Sequence, residues 1–219
     1  RDLATGVDKA LTGTDEMYSF SNETPRGWGM ADGHVYATGK SITCVYTNAT
    51  CVYRFILGGT YSNVTGAISF GIAGLQGATV AHDGYVLWSS GNGLVLYDAL
   101  PGEYVTGTYT KGPSLPASQS FISYDFAVVN GIVNVVYSAQ TGASTTEVYR
   151  WKVGDPAPTL LGAGAASDFG QQIDTERMAW RHSATAQQAN RPASLLSQPV
   201  GGGMTTTLST NANAFLLRD

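Results

Sequence analysis

A two-residue turn between two apolar, strand-like runs recurs along this chain, and that recurrence constrains the fold more than any other feature. Its clearest copy lies in residues 83–102, DGYVLWSSGNGLVLYDALPG. Asp83-Gly84 reads as a turn, YVLWSS as one strand, Gly91-Asn92-Gly93 as a tight loop and residues 94–99 as a second strand. Asp-Gly and Gly-Asn-Gly supply the positive φ with which two strands fold back at a matching twist.

The turn recurs at Asp32-Gly33, Asp83-Gly84 and Asn130-Gly131, with Thr175-Glu176 in the same place in a fourth unit. The spacings are 51, 47 and 45 residues. Each unit opens with a short strand before the turn: 28–31, 78–81, 126–129 and 169–173. A second strand follows: HVYAT, YVLWSS, IVNVVYSA and RMAWRHS. A polar loop leads to a third: CVYRFIL, LVLYDAL, EVYRWKV and ASLLSQPV. A Gly- or Pro-bearing turn and a weaker fourth strand close the unit. Four strands per roughly 40–50 residues is the blade period of a β-propeller. The expectation is a single all-β domain over 1–219, a propeller with four complete blades near 28–66, 78–120, 124–166 and 168–210. Residues 1–13 and 211–219 read as two pieces of a fifth blade. Three arrangements satisfy those pieces: pairing within one molecule, continuation of the chain into further blades, or self-association in which one copy completes the next. The alternative fold is a β-sandwich, which also has short strands and regular turns. The one good helix-former run, ATAQQAN at 184–190, sits where the other units have a loop.

Composition narrows the setting. Charged residues make up 13% and apolar ones 43%, which excludes a solvated, disordered chain. The net charge of −4, with no basic cluster, argues against nucleic acid and anionic membrane as partners. No apolar run approaches the roughly 20 residues of a bilayer span. The first residues lack a basic and apolar leader, so the expectation is that any leader has been removed.

Cys44 and Cys51 lie in TCVYTNATCVY, each ahead of Val-Tyr, as on two strands of a short hairpin. Facing cysteines there favour a disulfide and an oxidising compartment; two free thiols are the alternative. No metal site is expected, since two thiolates need further ligands at ligand spacing. Sequons begin at Asn22, Asn48 and Asn63, all expected in surface loops. Together these features favour a secreted or cell-surface glycoprotein.

Asp83-Gly-Tyr-Val-Leu-Trp88, Arg177-Met-Ala-Trp180 and the opening Arg1-Asp-Leu-Ala-Thr-Gly6 resemble the repeats of TolB-like and WD40-like propellers. The resemblance covers nearly the whole chain on short motifs. It departs at Asn130-Gly131, where no Trp follows, and at Thr175-Glu176, which replaces Asp-Gly. It implies a scaffold for protein or glycan binding, sometimes attached to a hydrolase.

No nucleophile elbow, His-Glu-x-x-His or Walker-type loop is present, so neither catalytic residues nor a cofactor are expected. His34 and His82 flank turns and His182 follows Trp180; the plain reading is three turn-adjacent surface histidines, and a shared acid–base or metal site is the sharper one. Asp15-Glu16 and Asp168 are the carboxylates available for pairing. Trp88 and Trp180 hold equivalent strand positions and are expected in the core. Tyr61, Tyr104 and Tyr109, expected in loops, are the candidate ligand-stacking residues. The functional expectation is a non-catalytic secreted binding module that meets a protein partner through its loop face. The alternatives are a glycan-binding lectin and an accessory domain of a secreted hydrolase.

Overall fold

The computed structural model describes residues 17–18, 28–31, 34–41, 51–55, 61–63, 80–90, 93–98, 108–142, 145–162, 167–183, 193–212 and 216–217. Every regular element among them is a β-strand, and no described helix is long and apolar enough to cross a membrane. β1 (Met17–Tyr18), β2 (Trp28–Ala31), β3 (His34–Ser41), β4 (Cys51–Phe55) and β5 (Tyr61–Asn63) form one sheet, in which β3 pairs with β1, β2 and β4. β6 (Val80–His82), β7 (Tyr85–Ser90), β8 (Gly93–Asp98) and β9 (Thr108–Ser114) form a second sheet in chain order.

The third sheet is two chain-ordered groups of four. β10 (Ser120–Val129), β11 (Ile132–Gln140), β12 (Thr146–Lys152) and β13 (Thr159–Leu160) make one antiparallel meander. β14 (Ser167–Ile173), β15 (Arg177–Ser183), β16 (Ala193–Pro199) and β17 (Thr206–Ala212) make the next. One parallel pairing, Thr146 with Ser167, joins them. β2–β5, β6–β9, β10–β13 and β14–β17 therefore repeat one strand order. The chain divides into two compact units, residues 1–91 with 95–110, and residues 92–94 with 111–219.

Local chemistry explains the hairpins. Asp83 and Gly84 have φ of 48° and 78°, and Asn130 and Gly131 have 52° and 75°. Two successive positive φ values define the turn whose twist suits a two-residue hairpin, and Asp, Asn and Gly tolerate them best. Thr175-Glu176 closes the fourth hairpin differently. Asp174 Oδ1 accepts the N–H groups of Glu176 and Arg177, at 2.8 and 2.7 Å, and the Asp174 N–H donates to Arg177 O. This carboxylate-capped turn needs no glycine, which is why the motif departs there without loss of the hairpin.

Burial follows position in the meander. Val86–Ser89 on β7, Leu94–Tyr97 on β8 and Val133–Ala139 on β11 are buried without alternation, as expected for strands covered on both faces. Trp88 and Trp180 are 1% and 0% exposed, as expected of the core, and each is the fourth residue of its strand. Val135, the fourth residue of β11, is 0% exposed in the same place. In the second unit, Ala127 and Val136 from one meander cluster with Ile173, Met178 and Val200 from the other, flanked by Val129 and Leu161. Trp151 lies against Gly112, where a Cβ would stand 2.8 Å from its ring, and its Nε1–H donates to Asp155 O.

Candidate functional site

The first strands of the two meanders in this unit touch through residues 48 positions apart. Both strands carry a bulge, between Phe121 and Ser123 and between Phe169 and Gln172. Bulges re-aim side chains. Here Ser123 Oγ donates to Gln171 Oε1 at 2.9 Å and lies 2.8 Å from Ser138 Oγ. The Ile173 N–H donates to Asp125 Oδ2 at 3.3 Å. Each of these two links between β10 and β14 spans 48 residues. A third bond has the same form: the Leu217 N–H donates to Gln172 Oε1 at 2.6 Å, across 45 residues. Gln171 Nε2 is buried with no hydrogen-bond partner among the described residues.

The titratable cluster of this unit lies where β12 and β14 begin and β15 ends. Asp168 and His182 are cross-strand partners, with Oδ1 2.6 Å from Nδ1. Facing an ionised carboxylate, Nδ1 carries the proton and donates it. Asp168 is 2% exposed, and its other oxygen lies against Gly162, where a Cβ would stand 1.7 Å from it. Only glycine leaves room for that carboxylate. The His182 side chain is 32% exposed. From β12, Glu147 Oε2 accepts the Tyr149 hydroxyl at 2.5 Å, and Tyr149 stacks on Tyr137 with centroids 5.4 Å apart. Tyr137 in turn meets the edge of Phe121.

The electrostatics follow. Burial pushes the Asp168 carboxyl upward, the hydrogen bond and charge of His182 pull it down, and Glu147 adds to the rise. Burial, then the bond to Glu147, pushes the Tyr149 phenol up to about 12, so it stays a donor at physiological pH. The result is an oriented imidazole backed by a buried carboxylate, beside a second carboxylate and a phenol. Such a group can hold a proton, or give and accept hydrogen bonds. Among the described residues no group of three or more His, Cys, Asp or Glu could hold a metal ion.

Several expectations change. His182 is the penultimate residue of β15 and is partly exposed, and strand pairing sets it on the buried Asp168, a partner the sequence reading did not foresee. His82 does sit beside its turn, 2.9 Å from Asp83 Oδ2, and His34 opens β3. Asp168 pairs with His182, while Asp15 and Glu16 lie outside the described residues. Tyr61 opens β5 and Tyr109 lies within β9, so both are strand residues and not loop residues; aromatics favour the pleated surface of a strand. Tyr104 lies outside the described residues, as do Asn22, Asn48 and Cys44. Asn63 ends β5, paired with Tyr53, and Cys51 opens β4, paired with Gly39. Sequence reasoning missed Glu147 and the pairing of Asp168 with His182, because a 14-residue separation across a hairpin leaves no local motif.

Compared with known protein families and with curated proteins, the chain matches none.

Proposed function

We propose that the chain is a β-propeller of four-stranded blades, and that it serves as a secreted, non-catalytic module binding a protein partner through its loop face; the fourth blade ends at Ala212 and not at 210, because Ala212 still pairs with Ala193. The observation that carries the reading is one strand order repeated in β2–β5, β6–β9, β10–β13 and β14–β17, with the first strands β10 and β14 bonded to each other. Units arranged about a common axis bring the first strands of neighbours together. A β-sandwich would not need one four-strand order to recur four times along the chain. The Leu217 N–H also bonds to Gln172, which sets Leu217 beside β14. The rim bearing Glu147, Tyr149 and His182 supports a polar, hydrogen-bonding contact surface there. Secretion rests on the cysteine spacing and the sequons.

Two measurements test it. Electron-microscopy class averages should show a ring with a central hole; two flat layers would favour the sandwich. The purified protein, applied to arrays of extracellular proteins and of glycans, should bind protein targets saturably. Glu147→Lys should weaken that binding about tenfold, roughly 1.4 kcal/mol. Binding to glycans alone would make it a lectin, and turnover of ester, glycoside or peptide substrates would sink the non-catalytic reading. Mass spectrometry without reduction should find Cys44 bonded to Cys51; two free thiols would remove the main support for secretion.

A further inference from the structure

We propose that Arg150 and Lys152 on β12 form a carboxylate-binding site, and that its occupant is an aspartate or glutamate side chain of the protein partner. The site rests on the geometry of one guanidinium; its assignment to a partner rests on the proposed binding function. Arg150 Nε and Nη2 both donate to Asn134 Oδ1, at 3.1 and 2.7 Å. Asn134 is 3% exposed, and its Nδ2 donates to Ile132 O at 3.0 Å, which fixes the amide with Oδ1 toward the arginine. An uncharged acceptor on β11 thus holds the side edge of the guanidinium. The end edge, formed by Nη1 and Nη2, keeps the paired N–H groups that fit a carboxylate through two parallel bonds.

The neighbours on this face add charge and no counter-charge. Across the β11–β12 pairing, Asn134 stands opposite Lys152 and Val136 opposite Arg150; on the other side of β12, Thr159 of β13 stands opposite Arg150. Residues opposite each other, or two apart on one strand, share a face of the sheet, so Asn134, Arg150, Lys152 and Thr159 lie together. Both cations are half-buried, and Thr159 is exposed. Glu147 and Tyr149 fall on the other face of β12 by the same alternation. Among the described residues neither Arg150 nor Lys152 has an ion pair with a carboxylate.

A half-buried cation has given up part of its hydration, and an asparagine returns hydrogen bonds but no charge. A carboxylate arriving here meets an oriented fork and a second cation on the same face. Both contacts are stronger than bonds between neutral groups, and the fork sets the orientation of the bound group. The net charge of −4 repels a phosphate dianion more than a single carboxylate, which is why an acidic side chain is the fitting occupant.

Titration of the intact, isotope-labelled protein with end-blocked tetraglutamate, followed by NMR, tests the site. The Arg150 Nε–H resonance should shift saturably, and inorganic phosphate should bind more weakly. Arg150→Gln and Lys152→Gln should each weaken peptide binding about tenfold, the size of one charge-assisted hydrogen bond. Arg150→Lys keeps the charge and loses the fork, and should fall between. An arginine that only braced Asn134 would leave Lys152→Gln with wild-type affinity. An Arg150 resonance that tetraglutamate does not move overturns the site, as does a Lys152→Gln protein that binds the peptide like the wild type. Tighter binding of phosphate overturns the choice of carboxylate. Protein targets found on the array should lose affinity with the same two glutamine variants, and targets that bind both like the wild type overturn the assignment to the partner. An array with no protein target, while tetraglutamate still binds at Arg150, sinks the proposed function and leaves the carboxylate site standing.

Discussion

β11 and β17 belong to one sheet and are of similar length, yet they live in opposite environments. From Val133 to Ala139 every β11 residue is buried, while β17 is exposed along nearly its whole length, with Leu208 at 50%. β11 is the second strand of its meander and has β10 and β12 as neighbours. β17 is a fourth strand, paired only with β16 among the described residues and bulged twice against it. Composition follows position: IVNVVYSAQ is a near-continuous apolar run, and TTLSTNA is mostly small and polar. The bulges and hydroxyls suit a strand whose outer edge must not recruit another chain. Similar strand lengths thus carry different loads, and the second strands bear the fold.

The largest expected effect comes from the second strands. Trp180→Ala should lower stability by about 3–5 kcal/mol, and Trp88→Ala by a similar amount. Leu208→Ala, in the fourth strand, should stay within about 0.5 kcal/mol. Denaturation midpoints compare them, and equal losses for Trp180 and Leu208 would erase the distinction between the two strand positions.

Gly162→Ala should rank next. Its Cβ has no space beside the Asp168 carboxylate, so side chain or backbone must shift, at about 1–3 kcal/mol. Gly201→Ala, where an added Cβ meets nothing within 4 Å, is the control in the exposed turn before β17. A silent Gly162→Ala would mean that Asp168 is loosely held.

A smaller effect concerns pH. The raised Asp168 carboxyl makes the folded chain bind a proton more tightly than the unfolded chain. Stability from this group should therefore decline as pH rises from about 3.9, the ordinary aspartate value, through the raised folded one. Asp168→Asn should lack that decline. Melting temperatures of the two proteins across the acid range decide it; parallel curves would show that Asp168 does not titrate differently on folding.

The smallest effect is at the turns. Glycine at Gly131 relieves a positive φ, so Gly131→Ala should cost about 1–2 kcal/mol. Glu176→Ala, in the carboxylate-capped turn with no positive φ, should be nearly neutral. Equal costs would mean the two hairpins close by the same geometry.

Strands and turns were legible because their causes are local. Apolar runs bounded by Asp-Gly or Asn-Gly report a hairpin within about ten residues, so YVLWSS and RMAWRHS coincide with β7 and β15. The fourfold strand order was also readable, since it is the same local figure repeated. Tyr61 and Tyr109 were misread because weak, polar outer strands resemble loops in sequence. Tertiary structure alone decided which polar residues meet. Ser123 with Gln171 and Ile173 with Asp125 join residues 48 apart, and Asp168 with His182 residues 14 apart, with no local motif that marks which side chains bond. Their proximity is set by how meanders pack and where bulges re-aim side chains, and those are properties of the folded sheet, not of any short stretch of chain.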